Sequence, residues 1–330
     1  MDRNYHVFSD GRIERKDDTV RLVTMDGEKT YVPIENAEAL FLHGQIDFNT
    51  RLVSFLNDHG VAMHVFGWED YYAGSIMPKR GQMSGKTVVA QVRAYDDTDH
   101  RRRIAASIVS GSIHNMRTNV VYYEGRDREL DDERSDLEKA ASRVDSSFPI
   151  DELMGIEATA RKAYYRSFNE ILPPEFRLRR REYNPPPNEI NSLISFGNSL
   201  VYANCVSAIR ATALDPTISY LHEPGERRYS LSLDLADLFK PVLADRVLFR
   251  LVNRNQITDS DFEVELGSCL LNDRGRQTYA KAFEETLERT VEHPQLNRKV
   301  SYQYLLRLEA YKLKKHLLTG ESYEPFKRWW

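Results

Sequence analysis

The sequence predicts an α+β protein: an N-terminal β-rich, sandwich-like domain followed by a larger all-α domain. Three observations carry this. Within residues 1–76, Asp-Gly turns separate short runs rich in β-branched and aromatic residues. A polar, glycine-bearing stretch, MPKRGQMSGK, follows. Helical periodicity then dominates from residue 88 to the end. The expected organisation is a β-rich domain over 1–76, a linker over 77–87 and a helical domain over 88–330.

The elements follow in order. Asp10-Gly11 lies between YHVFS and RIERK, and Asp26-Gly27 between VRLVTM and EKTYVPI. Both pairs tolerate the positive φ of a type I′ turn, so each predicts a hairpin. Ala39–Leu42 and Val61–Phe66 suit buried strands. Thr50–Asp58 places Leu52, Phe55 and Leu56 at helical spacing, with Gly60 as the stop. Gly85-Lys86-Thr87 resembles the end of a P-loop, but that motif needs a glycine where Arg80 stands, so it is rejected. Ile104, Ile108 and Ile113 mark one helix face. Residues 126–145 form a charged helix or connector, and Leu153–Tyr165 is a further helix. Arg177–Pro187 is a basic loop ending in three prolines. Asn191–Leu214 reads as the central core helix, since asparagines and serines interrupt it and no apolar run reaches bilayer length. Ser232–Leu251 follows with Pro241 as a kink. Arg274–Arg289 and Tyr302–Leu318 complete the set.

Composition narrows the function classes. A chain of 330 residues with 41% hydrophobic content can bury a substantial core. The start, MDRNYHVF, lacks a signal-peptide core. Cys205 and Cys269 lie in apolar contexts and read as buried hydrophobes, which makes the cytoplasm the expected compartment and a membrane role unexpected. The net charge of −4 does not advertise nucleic-acid binding. Residues 1–80 carry that whole excess, with 13 acids against 9 bases. Beyond them the bases cluster, as in Arg177, Arg179, Arg180 and Arg181, in His100–Arg103, and in the last forty residues with Lys312, Lys314 and Lys315. Such clusters suit phosphates, although solvated charge is the ordinary alternative.

The stretch HEPGERRYSLSLDLADLFKP, His222 to Pro241, holds the candidate chemistry. Asp234 and Asp237 at i, i+3 share a helix face, about 4.5 Å apart along the axis. His222 could arrive from the preceding loop and complete a site for Mg²⁺ or Mn²⁺. Glu157, amid small and apolar residues in MGIEATARKAYY, is the best further carboxylate. Each has an ordinary reading as well. Asp-x-x-Asp pairs arise by chance among 50 acids, His222 is one of nine histidines, and Glu157 could simply pair with Arg161.

Five segments together resemble one family along essentially the whole chain: FSDGRIERKDDTV, LMGIEATARKAYY, PPPNEINSLISFGNSLVYANC, YLHEPGERRYSLSLDLADLFKPVLADR and RLEAYKLKKHLLTGESYEPFKRWW. The chain resembles the CRISPR-associated adaptation endonucleases and integrases, the Cas one family, and its tail resembles the archaeal and subtype I-B-like branch. The resemblance implies catalytic and metal-binding roles for Glu157, His222 and Asp237, with Asp234 as a secondary acid. It implies joining of 3′-hydroxyl DNA ends to a repeat array, a homodimer formed through the β domain, and a complex with the small partner Cas two. Lys240 stands where relatives more often have arginine, which puts a bidentate phosphate contact there in doubt. PPPNEIN departs similarly at Asn188 and Glu189, while Asn191 matches the family asparagine. The alternatives are a catalytically degenerate DNA-binding scaffold, a hydrolase of small phosphate substrates, and a purely structural helical protein.

Overall fold

The structure, a computed structural model, describes residues 3–67, 71–79, 84–183, 185–226, 228–265 and 267–330. The N-terminal region comprises β1 (Arg3–Val7), β2 (Gly11–Lys16), β3 (Thr19–Thr24), β4 (Lys29–Val32), β5 (Ala37–Leu42), β6 (Ile46–Asp47), α1 (Thr50–His59), β7 (Ala62–Phe66) and β8 (Tyr72–Ile76). Two four-stranded sheets form, in the orders β1-β5-β7-β8 and β4-β3-β2-β6.

Asp10-Gly11 closes no hairpin. The chain passes there from one sheet to the other: β1 pairs in parallel with β5, while β2 pairs with β3. The β2–β3 turn is instead Asp17-Asp18, with Asp17 at φ 54°. Asp26-Gly27 does join β3 to β4, but only Gly27 takes positive φ, at 82°, so the turn is not type I′. Helix α1 matches its expected span, with Asn49 capping its start and Gly60 at φ 73° ending it.

Alternation along β5 sends side chains to opposite faces. Leu40 and Leu42 join the core between the sheets, with Ile13, Val20 and Leu52. Ala39 and Phe41 join the core of the helical region. Burial pushes the His64 imidazole down to about 3, with a smaller push from His6. The neutral ring on β7 shares a 2.7 Å hydrogen bond with Ser207 Oγ.

The helical region comprises α2 (Gly85–Asp96), α3 (Thr98–Glu124), α4 (Asp131–Ser142), α5 (Ile150–Ile171), α6 (Glu189–Arg210), α7 (Ser230–Phe239), α8 (Arg246–Asn253), β9 (Phe262–Glu265), β10 (Ser268–Leu271), α9 (Asp273–Glu288), β11 (Thr290–His293), β12 (Arg298–Ser301) and α10 (Tyr302–Thr319). The strands of the N-terminal region end at Ile76 and α2 starts at Gly85, so the last three residues of the expected linker are helical. Linker residues 80–83 lie outside the described residues. Gly85-Lys86-Thr87 is a helix start capped by Ser84, whose Oγ accepts the Thr87 N–H at 3.3 Å. Antiparallel hairpins β9–β10 and β11–β12 interrupt what periodicity reads as helix throughout.

Helix α6 is the central helix. Among the described residues it alone is long and apolar enough to cross a membrane, with a mean hydropathy of 1.2, which corrects the expectation that no segment qualifies. Its most apolar stretch is 78% buried inside this molecule, so that surface packs into the core. Leu193, Ile194, Leu200 and Val201 are buried there, each contributing roughly 1.5–3 kcal/mol. Cys205 is buried on the same helix, and neither cysteine is bridged.

Pro241 does more than kink. It lacks an N–H, and the chain from Pro241 to Asp245 winds as a π-helical turn, with the Asp245 N–H donating to the Lys240 carbonyl at 3.0 Å. Such turns inside helices are common at functional sites. This one directly follows Asp237 and Lys240.

Candidate active site

Helix α7 is buried along nearly its whole length. Both of its aspartates therefore sit inside the protein and need partners. Asp234 is fully buried. Its Oδ2 accepts the backbone N–H groups of Tyr220 at 2.7 Å and Leu221 at 3.1 Å. Its Oδ1 accepts the His222 N–H at 2.9 Å and faces His222 Nδ1 at 2.8 Å. One carboxylate thus ties down the whole loop bearing His222. An imidazole held through Nδ1–H presents Nε2 as its free lone pair.

That Nε2 lies 3.8 Å from Asp237 Oδ2. Asp237 Oδ1 accepts from Lys240 Nζ at 2.8 Å and faces Arg161 Nη2 at 3.2 Å. Glu157 arrives on α5, where Arg161 one turn later donates its Nε–H to Glu157 Oε1 at 2.6 Å. The same guanidinium also contacts Glu157 through Nη2. Arg161 therefore bridges the two carboxylates of separate helices. Ser112 of α3 braces α7 by donating to the Asp237 carbonyl at 3.1 Å.

The charges are strongly coupled. Burial alone would raise the Asp237 carboxyl, but Lys240, Arg161 and His222 outweigh it and hold it well below the usual range. Burial opposes the Arg161 charge, yet Glu157 and Asp237 keep its guanidinium firmly protonated. For His222, burial lowers and the Asp234 bond and Asp237 charge raise, with a net upward shift.

Of the three residues expected to act together, Asp237 faces His222 directly and is linked to Glu157 through Arg161. Asp234 is not a fourth member facing the same space; it stands behind His222. Sequence reasoning weighed Arg161 only as a partner for Glu157, and the i, i+4 spacing was the signal for that contact. Its reach to Asp237 needed the packing of α5 against α7.

The donor set fits a hard divalent ion: two carboxylates and an imidazole nitrogen freed by its second-nitrogen partner. A guanidinium lies between the carboxylates, so the position already favours a cation. Among the described residues no three acidic, histidine or cysteine side chains are gathered into a ready-made metal cage. Arg161 and Lys240 hold the carboxylates in the arrangement seen.

The candidate DNA contacts divide. Arg177, Arg179 and Arg180 are exposed on the loop after α5. Arg181 is engaged, donating to Asn191 Oδ1 at 3.1 Å and Ser195 Oγ at 2.9 Å. Lys312 pairs with Glu309 at 2.5 Å, Lys315 with Glu321 at 2.6 Å, and Lys314 is half-buried. A cavity of about 560 Å³ opens beside Lys240, lined by Tyr72, Tyr183, Tyr202, Arg181 and Ser195. Sequence reading missed this aromatic groove because its tyrosines come from the β domain, the proline-rich loop and α6.

Comparison with known proteins gives the family of the chain. The family described as CRISPR associated protein Cas1 matches residues 5–285. A CRISPR-associated endonuclease Cas1 from Haloferax volcanii is 56% identical over 327 residues, spanning 99% of each chain. The solved structure of a CAS1 protein from Thermotoga maritima is 36% identical with a TM-score of 0.85, covering 97% of this chain and 98% of that one. A casposase bound to integration product has a TM-score of 0.88 over 99% and 93% of the chains; at 18% identity it shows a shared fold alone. With the family match covering most of its length and a relative this similar, the chain belongs to the Cas1 family of CRISPR-associated proteins.

Proposed function

We propose that this protein is a divalent-metal-dependent DNA endonuclease and integrase of CRISPR adaptation. It joins the 3′-hydroxyl ends of captured DNA into the repeat array by transesterification, and cleaves DNA when water replaces the hydroxyl. The observation that carries this is the Glu157–Arg161–Asp237 bridge between α5 and α7, with His222 Nε2 aimed at Asp237. Glu157, His222 and Asp237 would hold Mg²⁺ or Mn²⁺. When bound, the ion supplies Lewis-acid polarisation of the scissile phosphate and stabilises charge developing in-line.

The rest falls to the chain. Asp234 fixes the histidine ring so that Nε2 stays unprotonated and directed inward. Lys240 places a point charge beside Asp237, where a phosphate oxygen would lie. The groove beside it offers tyrosine faces for unpaired bases and polar groups for the backbone, as a strand end requires. No covalent enzyme intermediate is needed, because the attacking hydroxyl belongs to the DNA. The family resemblance supports a homodimer, a complex with Cas two and action in the cytoplasm.

A second reading draws on the same bridge. Arg161 and Lys240 neutralise the carboxylates without any ion, as a DNA-binding scaffold lacking catalysis would require. One assay separates the two. The protein, with and without Cas two, is incubated with labelled duplex and a supercoiled repeat-bearing plasmid in Mn²⁺. Joining that disappears in Glu157→Ala and Asp237→Ala supports the integrase. Joining that survives both overturns the site assignment, and binding without joining in the parent supports the scaffold.

A further inference from the structure

Arginines outside the catalytic cluster are unevenly spread. Arg126, Arg246, Arg250, Arg254 and Arg289 line one concavity of about 310 Å³ between the end of α3, α8 and the α9–β11 junction. No described aspartate or glutamate lines it, and among the described residues none of the five arginines forms an ion pair. The site shares no residue with the Glu157 cluster.

Several guanidiniums are held in place by neutral groups. Arg126 stacks over the Tyr122 ring at 3.7 Å, and Arg246 approaches the same ring at 5.1 Å. Arg250 donates to the Ala282 carbonyl at 2.9 Å. Behind them Arg328 is buried. Arg246 Nη1 and Arg328 Nε are buried donors without acceptors. Burial and the charges of Arg289, Arg254 and Arg246 push Arg250 below its ordinary value, with Glu285 a partial offset from outside the lining.

Guanidiniums do not shed their protons in proteins, so the repulsion persists. Orphaned buried donors are costly as well. A ligand that relieves both must be anionic and rich in acceptors. Phosphate fits better than carboxylate, since its oxygens can meet several arginine forks at once.

We infer that this concavity is a phosphate-binding site, distinct from the catalytic cluster. Resting on the function proposed above, the phosphate is that of a DNA backbone. The contact fixes where the duplex lies without reading its sequence.

The test uses the full chain and the double variant Arg254→Gln/Arg289→Gln. Both positions are exposed, so unliganded melting should match the parent. Affinity for a labelled duplex is measured across salt concentrations, and pyrophosphate is added in a separate melting series. The expected result is a log–log salt slope reduced by about 1 to 2, near 0.9 for each phosphate no longer neutralised. Joining at saturating DNA should persist. An unchanged slope, with pyrophosphate stabilising the parent but not the variant, keeps the phosphate site and assigns it to a free phosphorylated molecule. An unchanged slope with no pyrophosphate difference overturns the inference. A parent that neither binds nor joins DNA defeats the proposed function instead, and the pyrophosphate series still decides the pocket.

Discussion

Asp234→Asn tests whether the secondary acid works through the histidine. The carboxylate receives four donors, two on each oxygen. An amide NH₂ at the Oδ2 position would confront two backbone N–H groups. At the Oδ1 position it confronts one, that of His222, and can donate to the imidazole Nδ1. The second placement wins. It leaves the His222 N–H without an acceptor, costing about 1–3 kcal/mol. It also reverses the tautomer: Nδ1 becomes an acceptor and the proton moves to Nε2, the nitrogen facing Asp237. Loss of such an outer partner typically lowers metal affinity 10–100-fold. The fold should survive with a modestly lower urea midpoint, while Mn²⁺ affinity by calorimetry and strand joining drop together. Nitrogen NMR of the labelled ring reads the tautomer directly. An Asp234→Asn protein that retains Nδ1–H and full Mn²⁺ affinity would refute the positioning role.

Arg161→Met leaves Glu157 and Asp237 facing each other without their shared cation, a loss of about 3–5 kcal/mol in metal-free buffer. If the carboxylates bind metal, Mn²⁺ at a hundred times its dissociation constant restores about 2.7 kcal/mol; urea melts without that recovery would argue against a metal site. For His222, whose value is raised above 6.5, joining should weaken as pH falls through that raised value, because a ligating ring must be neutral. Metal-free stability runs the other way: the charged ring supports the fold below the ordinary value, and that support is lost as pH rises through the raised one. The stability gap between parent and His222→Ala should therefore shrink across the same window. Burial pushes the Asp245 carboxyl from 3.8 up to about 7, against pulls from Tyr164, Arg161, Lys240 and Arg181. Its contribution favours the fold below about pH 4 and is lost by pH 7, on the order of 4 kcal/mol. Asp245→Asn should flatten that part of the stability profile in urea melts.

Much of the fold was legible because long elements repeat their signal. Helix α1 came with helical spacing and its own stop, Gly60, and α6, α9 and α10 with sustained periodicity. The two late hairpins were not legible: each of their strands is four residues long, too short for period two to stand out from helix. Asp10-Gly11 misled because an Asp-Gly pair states only that positive φ is tolerated. Whether the flanking strands pair with each other depends on β5, which arrives later and takes β1 in parallel.

The candidate residues, too, divide by cause. Residue chemistry and segment resemblance singled out Glu157, His222, Asp234 and Asp237, because a ligating or catalytic group must be of the right type wherever the chain runs. Their roles relative to one another were a matter of three dimensions. Asp234 and Asp237 look equivalent on a helical wheel, yet burial against the His222 loop turns one towards four donors and leaves the other facing Arg161, Lys240 and the imidazole. The five-arginine concavity has no sequence signature at all, since its members are scattered from Arg126 to Arg289. Sequence by itself determined which groups this protein carries and most of the helices that carry them. Only the tertiary structure decided which charges share a desolvated space, because electrostatic coupling depends on distance and burial rather than on separation along the chain.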